Sequence, residues 1–177
     1  MKAIVSVENR WGIGLAGELF CKLPEDMKRF KNITTGNVVI MGRRTFDSLP
    51  NKEPLKDRVN IVLTRYTQLQ PESTDNLLFY DSIYHLLSDL KFYSNKEIYI
   101  IGGQEIYGQF LPFCEEALVT RINASFCIDR FFPNLGIAKN WELTHLSSVH
   151  HHQAANDIGK IYFTYSTYTN NNVKELT

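Results

Sequence analysis

Residues 97–110 read EIYIIGGQEIYGQF, and the way this stretch divides decides the fold. After the leading acid, Ile98 to Ile101 are apolar without a polar residue alternating among them. A strand of that kind is covered on both faces, as in a parallel sheet flanked by helices. Gly102-Gly103 stops the run, and Glu105 to Phe110 resumes as a helix candidate. One strand, one glycine turn and one helix make the repeating unit of an α/β sheet.

The same grammar recurs on either side. AIVSV (3–7), NVVIM (37–41), VNIVL (59–63) and ALVTRI (117–122) are further β-branched runs. Helix candidates lie between them at Pro24 to Ile33, Thr45 to Ser48 and Ser82 to Leu90. Right-handed crossovers would join these strands in parallel. The end of the chain differs: WELTHLSSVHHH and KIYFTYSTYT, joined by the turn-like QAANDIG, read as a hairpin with alternating side chains. The expectation is one α/β domain over residues 1–169. Its sheet would be mixed, mostly parallel and twisted, with about eight strands, an antiparallel C-terminal hairpin and flanking helices. A polar tail would follow at 170–177.

The totals agree with a single globular unit. A chain of 177 residues with 44% hydrophobic and 21% charged content can bury a substantial core. Its 19 basic and 19 acidic residues cancel, so no overall field favours nucleic acid or an anionic membrane. Any anion site must be a local cluster. The start, MKAIVSVENRW, turns polar too early for a signal peptide, and no apolar run approaches the ~20 residues of a membrane span. Cys21, Cys114 and Cys127 are odd in number and far apart, which predicts reduced thiols in the cytoplasm.

In open α/β sheets, ligands bind beyond the carboxyl ends of the strands. After NVVIM come Gly42, Arg43, Arg44 and Thr45, where a helix start and two guanidiniums suit a phosphate. After VNIVL come Thr64 and Arg65, and after EIYII the backbone is bare at Gly102 and Gly103. Each element alone has a bland explanation, as a solvated arginine pair or a tight turn, and the diglycine lacks G-x-G-x-x-G spacing. Together, three strand ends with anion chemistry in a neutral chain predict a dinucleotide. Arg43, Arg44 and Arg65 around one phosphate suit a ribose 2′-phosphate, hence NADP rather than NAD.

The stretch LPEDMKRF poses a separate question. An acid in the first helical turn interacts well with the helix dipole, and that explains Glu25 entirely. Asp26 differs, because positions 26, 30 and 33 share a face with Phe30 and Ile33. A carboxylate on an apolar face is a candidate ligand-binding group.

These segments, taken in order, resemble the dihydrofolate reductase family over nearly the whole chain. The resemblance rests on IVSVENRWGIG, LPEDMKRFK, VVIMGRRTFDSLP, LKDRVNIVLTR, IIGGQEIYGQFLP, LVTRI and IDRFFP. It implies hydride transfer from NADPH to 7,8-dihydrofolate, a reaction of one-carbon metabolism and an antifolate target. It also implies that Asp26 grips the amidine-like edge of the pterin, with the Thr120 hydroxyl supporting the acid. Arg58 would take the glutamate carboxylate of folate in bidentate fashion. Val5, Met27, Phe30, Leu49, Leu55 and Ile101 would wall the pterin and aminobenzoyl rings, and Ser6 and Ile13 would touch the nicotinamide. Gly42, Arg43, Arg44, Thr45, Leu63, Thr64 and Arg65 would meet the phosphates and adenosine. Gly102-Gly103 would be joined by a cis peptide, with Gln104, Glu105, Ile106 and Tyr107 following beside the cofactor and Tyr107 reaching the substrate side. Residues 12–22 match the loop over the nicotinamide, with Leu19 where the family often has methionine.

Two departures stand out. Leu19-Phe20-Cys21 replaces the family's Leu-Pro-Trp or Met-Pro-Trp, losing a fixed φ and an indole donor near the acid. Slower proton delivery or weaker pterin binding is expected. Arg130 puts a large cation where a small residue is common. The triplet His150-His151-His152 invites a metal, but adjacent strand residues point to alternate faces and cannot converge on one ion, so no metal is expected. Alternatives remain: a pyrimidine reductase of the riboflavin pathway, or a non-catalytic folate- or NADPH-binding homologue. A monomer acting on small molecules is the expectation.

Overall fold

The computed structural model describes residues 1–66, 73–153 and 159–175. Twelve strands and four α-helices are formed among them. In chain order they are β1 (Lys2–Val7), β2 (Gly12–Leu15), β3 (Glu18–Leu19), α1 (Pro24–Thr34), β4 (Val38–Gly42), α2 (Arg43–Asp47), β5 (Val59–Leu63) and β6 (Leu77–Tyr80). Then come α3 (Ile83–Asp89), β7 (Ile98–Gly102), α4 (Gln104–Phe110), β8 (Glu116–Ile122), β9 (Arg130–Phe131), β10 (Trp141–Leu146), β11 (His150–Gln153) and β12 (Lys160–Asn170).

The main sheet runs β10-β12-β8-β1-β7-β4-β5-β6, with β11 also pairing β12. The strands from β8 to β6 in that order are parallel to their neighbours. Strand β12 lies antiparallel to β8, and β10 and β11 lie antiparallel to β12. The mixed sheet with an antiparallel end is therefore as expected. The hairpin is more elaborate than expected, because β10 and β11 occupy successive parts of one edge of β12. Ser147 marks the interruption: its N–H donates to the Tyr165 carbonyl and its Oγ accepts from the Tyr165 N–H. The QAANDIG turn falls largely outside the described residues.

Alternation along the strands builds two cores. Ala3, Val5 and Val7 of β1 join Val38, Ile40, Ile61 and Ile100 under α3 and α4, with Leu86, Ile106 and Phe110. Ile4, Val39, Met41, Val62 and Tyr99 face the other way, where Phe30 and Ile33 of α1 and Phe46 of α2 pack. Strands buried on both faces are what the near-continuous apolar runs require.

The sequence reading missed a small second sheet, β3-β2-β9. Two-residue strands offer no periodicity to read, and the glycines of GIGLAGEL mask the pattern. Helix α2 also starts two residues earlier than expected, at Arg43. Strand β12 takes in Asn170, and residues 171–175 continue past it as irregular backbone, with the Lys174 N–H donating to the Pro112 carbonyl at 2.9 Å.

The link from β1 to β2 depends on Glu8. Its side chain is wholly buried, and its Oε1 accepts the backbone N–H groups of Arg10 (2.9 Å) and Gly12 (3.0 Å). Gly12 has no room for a side chain, since a Cβ would stand 2.6 Å from Ile128 and 2.9 Å from that carboxylate.

Candidate active site

Helix α1 starts with Pro24 at its first turn, where a missing N–H costs nothing. Asp26 follows in the same turn, with its carboxylate against the neighbouring interior strands β1 and β8. Ser6 and Thr120 are direct partners in that parallel pairing. Both hydroxyls donate to the acid: Ser6 Oγ to Oδ2, and Thr120 Oγ1 to Oδ1 at 2.5 Å. Thr120 is 1% exposed, whereas Asp26 and Ser6 are half-buried. Among the described residues these are the hydrogen bonds of the Asp26 side chain, and no cation forms an ion pair with it.

A cation of the same helix that feels the acid is held elsewhere. The Arg29 guanidinium lies 4.5 Å from the centre of the Tyr165 ring, and burial lowers its pKa while Asp26 opposes that shift. Burial, then the charge of Asp26, also pushes the phenol of Tyr165 and the thiol of Cys21 upward. Cys21 packs with Phe20 and Tyr165 against Leu23, Ile122 and Phe163. Burial and the acid's charge therefore keep it a neutral thiol at neutral pH.

Phe30, Leu49, Leu55 and Ile101, the expected ring walls, pack against one core cluster on the α1 side. Met27, 49% exposed, stands at the open side of α1. Val5 does not join them. Side chains 3, 5 and 7 of β1 point under α3 and α4, so the Asp26 face receives Ile4 and Ser6. Arg58 is 8% exposed beyond Phe30, 5.9 Å from its ring centre. Its Nη1 donates to Thr34 Oγ1 at 2.9 Å and its Nε to the Lys56 carbonyl at 3.0 Å, which fixes the plane of the fork. Burial lowers the guanidinium pKa, with Asp57 opposing.

The other expected residues sit at three neighbouring strand ends, β5, β4 and β7. Gly42 pairs with Leu63 in register, which places Arg43, Arg44 and Thr45 beside Thr64 and Arg65. Arg44 and Arg65 are exposed, and Arg43 Nε donates to Asp47 Oδ1 at 2.8 Å within α2. The Gly102–Gly103 peptide is cis. Gly102 has φ +108°, and a Cβ there would meet the Tyr107 ring at 2.8 Å. A Cβ on Gly103 would lie 3.4 Å from Thr45 Oγ1, and one on Gly42 3.0 Å from Ile106, so these backbones converge.

Several expected contacts are occupied internally. Tyr107 is buried and its hydroxyl donates to the Ile4 carbonyl at 2.7 Å, with burial and then Asp26 driving its pKa upward. Gln104 Oε1 accepts the Phe131 N–H at 2.7 Å, tying α4 to β9, while Glu105 is exposed. Ile13 is buried with Trp11 and Phe132 in the α3–α4 core, and Leu63 packs against that core. Leu19 is exposed on β3. Arg130 lies in β9 and donates from Nη1 to the Asp129 carbonyl. The three histidines diverge: His150 stacks on Phe163, His151 lies beside Tyr162, and His152 Nδ1 meets Glu25 Oε1 at 3.0 Å.

Sequence reasoning missed Arg29 and the carboxylate contact of Ser6. Both had a signal. Arg29 follows Asp26 by three positions, and Ser6 falls on the Ile4 side of β1 by alternation.

A family model described as dihydrofolate reductase matches residues 1–170. The bifunctional dihydrofolate reductase-thymidylate synthase of Paramecium tetraurelia is 40% identical over 119 residues, 63% of this chain and 23% of that protein. The dihydrofolate reductase of Staphylococcus aureus is 32% identical over 131 residues, 74% of this chain and 76% of that protein. This chain spans about a quarter of the length of the bifunctional relatives it matches. A solved dihydrofolate reductase from Enterococcus faecalis, complexed with NADP(H) and RAB-propyl, aligns with a TM-score of 0.76 at 28% identity, covering 96% of this chain and 95% of that one. On this fold and these matches, the chain belongs to the dihydrofolate reductase family.

Proposed function

We propose that this chain reduces 7,8-dihydrofolate to 5,6,7,8-tetrahydrofolate with NADPH, over a functional domain of residues 1–169. The observation that carries the reading is Asp26: a carboxylate held by two hydroxyls, paired with no cation among the described residues, and set against an apolar wall. A heterocycle presenting two N–H donors satisfies its free lone pairs, and Phe30, Leu49, Leu55 and Ile101 cover the ring. Arg58 lies further along the same wall, with its fork oriented by Thr34 and Lys56, which suits the carboxylate of a folate tail.

The residues at the strand ends suit a dinucleotide. Arg44, Arg65, Thr45 and Thr64 supply donors for its phosphates, and Gly102 and Gly103 leave the backbone bare beside Thr45. When bound there, NADPH supplies the hydride. The chain's own contribution is positional and electrostatic. Asp26 anchors the nitrogen-rich edge of the pterin and stabilises positive charge on the ring as its reacting nitrogen takes a proton from water. Cys21, a neutral thiol, offers that proton path only a weak donor. The free thiols and the balanced charge support a cytoplasmic monomer that binds small molecules.

The test is loss of NADPH absorbance on adding dihydrofolate. Consumption that depends on dihydrofolate supports the reading. NADPH binding without consumption favours a non-catalytic homologue, and consumption only with a ribosylaminopyrimidine favours the riboflavin-pathway reductase.

A further inference from the structure

We infer that Ser6 is a positioning residue for the Asp26 carboxylate, a role separate from any contact with nicotinamide. The inference rests on the reading of Asp26 as the pterin anchor. Ser6 and Thr120 are register partners on β1 and β8, so their side chains leave the sheet side by side on the α1 face. Each hydroxyl takes a different oxygen of the same acid, Ser6 Oγ taking Oδ2 and Thr120 Oγ1 taking Oδ1. A carboxylate has about four lone-pair positions, so one on each oxygen stays open. Two hydroxyls on separate strands fix both the position and the plane of the group; one hydroxyl alone would leave it free to turn about its Cβ–Cγ bond.

The plane matters because the proposed partner is bidentate. A 2-amino-pyrimidine edge offers two parallel N–H donors and rewards a carboxylate already lying in the ring plane. No other described side chain supplies this constraint. Arg29 is committed to the face of Tyr165, and Cys21 makes no hydrogen bond to the acid. Ser6 therefore does for Oδ2 what Thr120 does for Oδ1.

The experiment measures binding of a 2,4-diaminopyrimidine, which presents the same edge, by quenching of tryptophan fluorescence. Variants are Ser6→Ala and Ser6→Thr, each in the native and Asp26→Asn backgrounds. Losing one hydrogen bond to a charged group predicts about 10-fold weaker binding for Ser6→Ala. Ser6→Thr, which keeps the hydroxyl on a residue suited to a strand, should stay within about threefold of the native protein. In the Asp26→Asn background, Ser6→Ala should change binding by less than about twofold, because coupled residues are not additive. Unchanged binding in Ser6→Ala would overturn the inference, as would an equal loss in both backgrounds, which marks a structural role. Loss of the anchor reading itself looks different: Asp26→Asn alone would leave diaminopyrimidine affinity and dihydrofolate turnover untouched.

Discussion

Glu8→Ala removes the group on which the turn out of β1 depends. The carboxylate is wholly buried and accepts two backbone N–H groups, from Arg10 at 2.9 Å and Gly12 at 3.0 Å. Its own backbone closes the same turn, with the Glu8 N–H donating to the Gly12 carbonyl and the Trp11 N–H to the Glu8 carbonyl. After truncation, two donors lose their acceptor at a place packed by Ile128. Each orphaned donor costs roughly 1–3 kcal/mol, so the pair predicts a loss of about 3 kcal/mol. For a domain of this size that corresponds to a fall in Tm of roughly 6–12 °C. Both N–H groups donate to the same oxygen. Glu8→Gln therefore keeps an amide oxygen that accepts both, loses only the charge and the Oε2 contact to Arg10 Nε at 3.5 Å, and should fall by about a third as much. Calorimetry of the three proteins at neutral pH checks both values. A Glu8→Ala protein melting within about 2 °C of the native one would refute the reasoning, since ~1 kcal/mol moves Tm by that much or more.

Other consequences can be read in the same way. Cys127 is exposed, Cys21 is half-buried with its thiol pushed up by burial and Asp26, and Cys114 is buried and pushed up to about 12. Alkylation at mildly alkaline pH, followed by intact mass, should therefore show one fast thiol, one slow and one silent while the protein stays folded. Tyr107→Phe leaves the Ile4 carbonyl without its donor and should cost about 1–2 kcal/mol at neutral pH in urea unfolding. Burial raises the Tyr107 pKa, so the native phenol stays protonated while the unfolded one ionises near pH ~10. The native state then holds more protons, its stability falls as pH rises past that value, and the gap to Tyr107→Phe should narrow there. Arg58→Lys removes the fork held by Thr34 and Lys56, and should raise KM for dihydrofolate about 10-fold or more with a smaller change in kcat. An unchanged KM would separate Arg58 from the substrate.

Legibility followed physics. The five parallel-sheet strands read from β-branched runs all exist, because burial on both faces leaves an unbroken apolar signature at 3–7, 37–41, 59–63, 97–101 and 117–122. Strand β6, LLFY, is short and follows the polar run PESTDN, so it carries little strand signal in the sequence, although it pairs with β5 over residues 60–63. Strands β2, β3 and β9 were invisible because tertiary pairing, with Glu8 and Gln104 as ties, makes them strands. In the site, helical spacing put Asp26 with Phe30, and the β1–β8 register brought Thr120 to it. Val5 was misplaced because a family position does not say which way a side chain leaves a strand. That Tyr107 and Gln104 are engaged internally has no sequence signal, since their partners are backbone groups 103 and 27 residues away.

The claim on which the account turns is that the charge of Asp26 grips the reducible ring. Asp26→Asn keeps the shape and removes the charge. Losing a hydrogen-bonded charge pair in a half-buried site costs about 2–4 kcal/mol, or a roughly 30- to 1,000-fold fall in kcat/KM for dihydrofolate near neutral pH. NADPH affinity, set at the strand ends, should hold within about twofold, since sites that share no partners act independently. Native-like kcat/KM in a folded, NADPH-binding Asp26→Asn protein would contradict the account.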